Sequence, residues 1–156
     1  MTTHFNYWLT GAGWAEAFFT SDKQNVRFEL SYLSDPLTDL FEGLCRLINN
    51  ESDTERIAFF DEPGEHSLVI SKIDEDEIKI EIFWDNEKEG INEAEKSQDT
   101  GELIYSDTDT LRNLTSVICT GIDSLLGRHT LEEYKEKWTS FDFPLDKYKQ
   151  LQLLLN

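Results

Sequence analysis

Residues 55 to 85, ERIAFFDEPGEHSLVISKIDEDEIKIEIFWD, decide the fold class. Three segments rich in β-branched and aromatic residues, ERIAFF, HSLVISKI and EIKIEIFW, are separated by the short acidic connections DEPGE and DEDE. Connections of this length join strands that are neighbours and run antiparallel. The stretch therefore predicts a three-stranded antiparallel meander.

The segment before the meander, SDPLTDLFEGLCRLINN (residues 34 to 50), predicts a helix. Asp35 is a favourable N-cap, and Pro36 stands at the first helical position, where its missing N–H costs nothing. Apolar residues recur at steps of three and four and predict one buried stripe on this helix. The stripe consists of Leu37, Leu40, Phe41, Leu44, Leu47 and Ile48.

The first 33 residues predict a hairpin. GWAEAFFT and VRFELSYL are the two strand segments, and SDKQN is the polar turn between them. We expect residues 7 to 9 to extend the first strand backwards across Gly11 and Gly13, which suggest a bulge or bend.

The segments after the meander predict a short strand and three helices. GELIY is the strand, and residues 107 to 127 form a helix with Asp107 or Asp109 as its cap. Two further helices are expected, one from Thr130 to Trp138 and one after Pro144. The order ββ-α-βββ(β)-α-α-α predicts a single α+β domain over residues 1–156. We expect an antiparallel sheet of about five to six strands with the helices packed on one face.

Composition limits the classes of function. The chain has 156 residues, of which 38% are hydrophobic, which is enough for a folded core. Thirty-two acidic residues against fourteen basic ones give a net charge of −18. A field of this sign repels nucleic acid and anionic membranes and attracts basic proteins. We therefore expect no nucleic-acid partner and no membrane partner.

The cysteines and the N-terminal segment favour a cytoplasmic protein. Cys45 and Cys119 each lie within an apolar helical pattern and are typical of reduced core residues. A disulfide between them stays open as an alternative. MTTHFNYWLTGAGWAEAFF has no basic start and no continuous apolar run, so we expect no secretory signal. No stretch of the sequence reaches the length of a membrane span.

Metal and cofactor sites are not expected. The loop DNEKEGINEAEK, from Asp85 to Lys96, has acids at positions one, three and five and glycine at six, as a calcium loop has. Its twelfth position is Lys96, where a bidentate glutamate is required, and a strand rather than a helix precedes it. The three histidines and two cysteines show no zinc-ligand spacing. No nucleophile or nucleotide-binding motif is present.

A catalytic pair of carboxylates stays open as an alternative. Glu16 and Glu29 fall on the two arms of the first hairpin, and Glu16 shares its strand parity with Trp14 and Phe18. Such an aromatic setting can raise the pKa of a carboxyl group towards a catalytic value. We favour the simpler interpretation, in which Glu16 lies on the exposed face or at the edge of the sheet, and we predict no catalytic residue.

The acidic meander and the loop after it are the candidate binding surface. Residues 61 to 95 contain thirteen acids and three lysines, and therefore ten of the eighteen net negative charges. Aromatic anchors surrounded by charge are typical of protein interfaces. Strand parity places Trp84 with the buried isoleucines, which leaves Phe83 as the exposed aromatic. We predict that the partner-binding residues are Asp74, Glu75, Asp76, Glu77, Phe83, Asp85, Glu87 and Glu89. The equally open alternative is an ordinary solvated face.

Four stretches together resemble a family of small uncharacterised bacterial proteins: SYLSDPLTDLFEGL, FDEPGEHSLVI, the strand end IFWDN and the closing KEKW…FDFPLDKYKQLQ. The matching positions are Tyr32, Asp35, the turn from Glu62 to Glu65, Trp84 and Asp85. The resemblance covers most of the chain from about residue 28, supports the fold and transfers no activity. In general type, the chain is also similar to immunity proteins, which neutralise bacterial toxins.

These observations favour a non-enzymatic binding protein of the cytosol, namely an immunity protein that neutralises a basic, nuclease-like toxin domain. A basic nucleic-acid groove can accept an acidic protein surface in place of phosphate. Two alternatives are a hydrolase or transferase that uses carboxylates, and a regulatory or structural module without a toxin partner. The oligomeric state stays open.

Overall fold

A computed structural model of the chain describes residues 1–86, 101–139 and 141–156. The described residues form seven strands and four helices. The strands are β1 (Thr2–Gly11), β2 (Trp14–Ser21), β3 (Asn25–Ser31), β4 (Thr54–Phe60), β5 (Glu65–Lys72), β6 (Glu77–Asp85) and β7 (Glu102–Thr110). The helices are α1 (Pro36–Ile48), α2 (Leu111–Arg128), α3 (Leu131–Trp138) and α4 (Leu145–Leu155).

The fold is α+β, as predicted, but the strands form two antiparallel sheets instead of one. The first sheet has the order β1-β2-β3, and the second has the order β4-β5-β6-β7. The predicted meander is confirmed as β4, β5 and β6, which pair in sequence order. The expectation of one sheet with about five to six strands is wrong: seven strands form, one more than the six predicted segments, and they divide into two sheets.

One additional strand comes from the N-terminal segment. Gly11, Ala12 and Gly13 all have positive φ (108°, 53° and 83°), and the chain reverses direction there. β1 therefore pairs antiparallel with β2 instead of extending it. Positive φ is inexpensive for glycine, so the two glycines that suggested a bulge or bend make a tight turn, and the pairing of β1 with β2 also shifts register between Leu9 and Gly11.

The strand after the meander is longer than GELIY and takes residues assigned to the next helix. β7 runs to Thr110, whose side chain accepts a hydrogen bond from the backbone N–H of Asn113 and caps α2. The assignment of Asp107 or Asp109 as the cap is therefore wrong. Asp109 accepts hydrogen bonds from the backbone N–H of Thr2 and from the Asn113 amide instead.

Helix α1 follows the predicted pattern. The Asp35 side chain accepts a hydrogen bond from the backbone N–H of Thr38, and Pro36 is the first helical residue. Five of the six stripe residues are completely buried: Leu37, Leu40, Phe41, Leu44 and Leu47.

Aromatic side chains join the inner faces of the two sheets. Phe28 on β3 packs edge-on against Phe59 on β4, with ring centroids 5.3 Å apart, and Phe19 on β2 lies 6.2 Å from the ring of Tyr105 on β7. Helices α1 and α2 contribute their apolar stripes to the same cluster of buried residues. Among the helices of the described residues, none has both the length and the apolar character needed to cross a membrane.

Helix α2 lies along the free edge of β1. The Asn113 amide donates to the carbonyl of Thr2, and the Arg128 guanidinium donates to the carbonyl of Tyr7. Between them, Gly121 brings the helix so close that a Cβ atom would lie 2.2 Å from the carbonyl oxygen of Phe5. The helix therefore covers an edge that would otherwise expose unpaired carbonyl groups.

Candidate functional site

The predicted binding residues lie at two separate places. Residues 74–76 lie in the turn between β5 and β6 and Glu77 is the first residue of β6, whereas Phe83 and Asp85 lie at the opposite end of β6. The nine residues from Glu77 to Asp85 span about 26 Å of strand. Glu87 and Glu89 lie outside the described residues, as does most of the Asp85–Lys96 loop. The structure therefore does not bring the described members of the set together at one point.

The turn of residues 74–77, which we call the acidic turn, has a fixed conformation. Oδ1 of Asp74 accepts hydrogen bonds from the backbone N–H of Glu77 at 2.8 Å and of Asp76 at 2.9 Å. These two bonds hold the pKa of Asp74 below its usual value. The carboxylate of Asp74 therefore serves the turn itself.

The other carboxylates of the acidic turn remain available. All four residues of the turn are exposed. Within the described part of the chain, the side chains of Glu75, Asp76 and Glu77 make no hydrogen bond or ion pair. The backbone N–H of Leu111 donates to the carbonyl of Asp76 at 3.0 Å, which ties the turn to the first residue of α2. The turn thus presents three carboxylates without a partner among the described residues, on a backbone held by three hydrogen bonds.

A groove of about 750 Å³ lies beside the acidic turn. The ends of three helices form its apolar part: the C-terminal ends of α1 and α4 and the N-terminal end of α2. The apolar lining residues are Leu47, Ile48, Leu111, Leu154 and Leu155. A volume of this size is within the range of ordinary ligand-binding pockets.

Four charged residues line the groove: Lys72, Glu75, Asp76 and Arg112. Lys72 Nζ donates to Oδ1 of Asn50 at 2.6 Å, and the Arg112 guanidinium donates to the carbonyl of Leu155 at 2.8 Å. Both cations therefore already serve acceptors of the protein. Glu75 and Asp76, which also line the groove, have no partner for their carboxylates in the ranges 1–86, 101–139 and 141–156. Because both acceptors are neutral oxygens, Lys72 and Arg112 keep their charges, and the groove combines an apolar floor with two cations and two carboxylates.

The far end of β6 has a different character. Trp84 lies on the same face of β6 as the buried isoleucines, as predicted, but it is at the margin of the core and only half-buried. Its ring lies 4.4 Å from that of His66. On its other side the His66 ring stacks on Phe28 at 4.2 Å. Phe83 is partly buried, which corrects the expectation of an exposed aromatic anchor. The pairing of β6 with β7 shifts register between Ile82 and Phe83, whose partners are Tyr105 and Leu103.

His66 is kept neutral by its position between two aromatic rings. It is only 8% exposed, and none of the described residues forms a hydrogen bond with its Nδ1. Burial lowers its pKa from 6.5 to about 4, against the attraction of Asp61, which acts to raise it. Because an unfolded chain binds a proton near pH 6.5 and the folded chain does not until about pH 4, the contribution of His66 to stability is lost as the pH falls through this interval.

We expect the wild-type protein to lose about 2 kcal/mol more stability than His66→Phe when the pH is lowered from 7 to 5. Phenylalanine keeps an aromatic ring between Phe28 and Trp84 but binds no proton. Urea unfolding of both proteins at the two pH values measures the difference and cancels the titration of the many carboxylates. Equal losses in the two proteins would contradict the assignment.

The carboxylate pair considered as an enzymatic alternative lies on the outer face of the first sheet. Glu16 on β2 and Glu29 on β3 are direct cross-strand partners. Glu16 lines a cleft of about 120 Å³ together with Trp8 and Phe18, while Glu29 is exposed. This cleft is smaller than ordinary substrate pockets. The position agrees with the exposed-face interpretation of Glu16.

Among the described residues, no group of three or more histidine, cysteine, aspartate or glutamate side chains is placed to hold a metal ion. Cys45 and Cys119 are free thiols. Burial raises the pKa of the Cys119 thiol to about 11, so it stays protonated near neutral pH.

The groove was not predicted from the sequence. One available signal was the closing segment LQLLLN, which has more leucines than a single helical stripe requires. In the structure, Tyr148 and Leu151 are the buried residues of α4, whereas Leu153 is 72% and Leu154 is 36% exposed. Leu154 and Leu155 line the groove, whereas Leu153 does not.

Comparison of the chain with protein-family models, with curated proteins and with solved structures finds no match. The geometry of the chain itself is therefore the basis of the function proposed below.

Proposed function

We propose that this chain is a non-enzymatic binding protein of the cytosol that neutralises a basic, nuclease-like toxin domain, as bacterial immunity proteins do. The observation that carries the proposal is the acidic turn, whose hydrogen-bonded backbone presents three carboxylates that have no partner within the described part of the chain. A preformed charged surface loses little conformational entropy on binding, so more of its interaction energy contributes to affinity.

The net charge of the whole chain, like the acidic turn, favours a basic partner. A net charge of −18 attracts a basic protein over a distance comparable to the Debye length and speeds their encounter. A nuclease must present basic groups to the phosphates of its substrate, and carboxylates can bind those basic groups in place of the phosphates. An acidic protein bound there would exclude the nucleic acid.

The free cysteines are consistent with a cytosolic protein. Cys45 and Cys119 are both reduced, and Cys119 lies in the buried core. Disulfides are rare in the cytosol because thiol-reducing systems operate there.

We expect the double variant Glu75→Gln/Glu77→Gln to bind the partner about three to ten times more slowly at low salt, with little change in dissociation. Charges at the edge of an interface mainly change the association rate. Asp74 is left intact because its carboxylate holds the backbone of the turn. Stopped-flow kinetics at low and physiological salt, with the protein that co-purifies with the native chain, measure the effect. The salt dependence of association should also become weaker.

The matched control is Glu132→Gln/Glu136→Gln, which removes two charges from exposed positions on α3. If this control slows association as much as the first variant, the effect belongs to net charge and the acidic turn has no special role. If neither variant changes association, the proposal is wrong. An assay of the partner's nuclease activity tests neutralisation: it should fall to background at one equivalent of the chain.

The far end of β6 is tested separately. If the interface spans the strand and includes the remaining predicted residues, Phe83→Ala should speed dissociation, since aromatic anchors act on residence time. Unchanged dissociation would confine the interface to the end of the sheet that carries the acidic turn. Phe83→Ala and Glu75→Gln/Glu77→Gln each need a melting temperature close to that of the wild type before their kinetics are compared.

A further inference from the structure

We infer that the open edge of β3 pairs with the same edge of a second copy of this chain, which joins two three-stranded sheets into one sheet of six strands. The inference is independent of the proposed function. Its supports are the direction of the backbone groups of β3 and the order of the charges along this strand.

The hydrogen-bond pattern of the first sheet shows which backbone groups of β3 point away from it. The backbone N–H of Ser21 donates to the carbonyl of Gln24 at 2.7 Å, so these two residues form a hydrogen-bonded pair at the turn between β2 and β3. Hydrogen-bonded and non-hydrogen-bonded pairs alternate along an antiparallel ladder. The backbone groups of Val26, Phe28 and Leu30 therefore point to β2, and those of the residues between them point outwards.

The two edges of the first sheet differ. Continued across β2, the alternation places the carbonyl of Tyr7 on the outer edge of β1, where helix α2 donates a hydrogen bond to it. On β3 the outward groups belong to the exposed residues Asn25, Arg27 and Glu29 and to Ser31, which is completely buried. No described residue forms a further hydrogen bond with the backbone of the three exposed residues. The open part of the edge therefore runs from Asn25 to Glu29.

An unpaired strand edge is a template for another strand, and the charges of β3 select a second copy of itself. A two-fold axis through Phe28 places Arg27 of each copy opposite Glu29 of the other. Because both residues have outward backbone groups, this register forms backbone hydrogen bonds together with two cross-strand ion pairs. Axes through Arg27 or through Glu29 would place like charges directly opposite each other.

The side chains on both faces of the strand suit this register. On the inner face, the axis places Val26 of one copy opposite Leu30 of the other, so apolar residues meet. On the outer face, Arg27 and Glu29 make no ion pair within the described part of the chain. Glu29 also lies directly opposite Glu16 of β2, an arrangement of like charges that is unfavourable. An arginine from the second copy would lie on the other side of Glu29 and offset this repulsion.

The net charge of −18 opposes the contact and gives it a characteristic salt dependence. Repulsion between two acidic copies acts over the Debye length and is screened by salt, whereas backbone hydrogen bonds are not. We therefore expect the dimer to become at least about threefold tighter when salt is raised from about 50 mM to about 500 mM. Binding of a basic partner should weaken over the same range, so the two events are distinguishable.

The test reverses the two charges of β3. Arg27→Glu and Glu29→Arg each place like charges opposite one another and should weaken the dimer at least about tenfold. The double variant Arg27→Glu/Glu29→Arg restores opposite charges and should recover the wild-type affinity to within about threefold. Analytical ultracentrifugation over a concentration series measures the dissociation constants.

Mixing the two single variants provides an internal control. In a mixed pair every reversed charge meets its opposite, so the mixture should form a heterodimer at concentrations where each variant alone is a monomer. Glu29→Arg also makes the chain less acidic, so its weaker dimer cannot result from general repulsion. Lys149→Glu makes the same change in net charge as Arg27→Glu at an exposed position on α4, and it should weaken the dimer less than about twofold.

A second measurement needs no variant. The outward backbone N–H groups of Arg27 and Glu29 should exchange with solvent at least about tenfold more slowly in concentrated than in dilute wild-type protein. A wild-type chain that stays monomeric at millimolar concentration, or exchange at these two positions that is independent of concentration, would overturn the inference. So would a double variant that dimerises no better than the single variants, provided that its melting temperature matches that of the wild type.

Discussion

Replacing Leu44 with alanine is expected to lower the free energy of unfolding by about 2–5 kcal/mol. Leu44 is completely buried in the middle of the α1 stripe, within the cluster that includes both sheets. Helix α1 packs on β4 and α4, and Arg46 holds it to Glu55 of β4 through two hydrogen bonds of 2.6 and 3.0 Å. With the helix held in this way, the structure can close only part of the cavity that the smaller side chain leaves.

The measurement is urea unfolding of the wild type, Leu44→Ala and a matched control, Leu153→Ala. Leu153 is 72% exposed on α4, so its truncation should change the free energy by less than about 0.5 kcal/mol. Equal, small effects of the two substitutions would show that the α1 stripe does not face the core.

The elements that were predicted correctly are those defined by local sequence. α1 has a cap, a proline at its first position and an apolar stripe within seventeen residues, and all three signals agree. The meander has short connections, which leave few other ways for its strands to pair. The alternation of Ile78, Ile80 and Ile82 likewise predicts their burial, and all three are buried.

The division into two sheets could not be predicted from local patterns. It depends on contacts such as Phe28 with Phe59 and Phe19 with Tyr105, which join residues far apart in the chain. The turn at Gly11–Gly13 was open to either interpretation, since glycines accommodate both a bulge and a reversal. β7 was underestimated because SDTDT has low strand propensity, and pairing with β6 overrides that preference.

In the candidate site, too, the local features could be predicted from the sequence and the long-range contacts could not. The exposure of the acidic turn follows from its composition, and all four residues are indeed exposed. The groove beside it requires residues near positions 47, 111 and 154 to meet, and no pattern within any one segment indicates that meeting. The separation of the turn from Phe83 follows from the length of β6, which the sequence did predict.

Replacing Gly121 with valine is expected to lower the free energy of unfolding by about 3–5 kcal/mol. A Cβ atom at this position would lie 2.2 Å from the carbonyl oxygen and 2.7 Å from the ring of Phe5. Since the nearest atom belongs to the backbone of β1, no rotation of a side chain relieves the contact. Helix α2 would have to move away from the edge of β1, which would also weaken its hydrogen bonds to Thr2 and Tyr7.

Gly127 supplies the control, because it lies on the same helix with no atom within 4 Å of its would-be Cβ. Gly127→Ala should stabilise the protein by up to about 1 kcal/mol, since alanine loses less conformational entropy in a helix. The two substitutions should therefore have opposite signs in urea unfolding. If Gly121→Val is neutral, α2 does not lie against the edge of β1. The groove would then also need revision, because the N-terminal end of the same helix forms one of its walls.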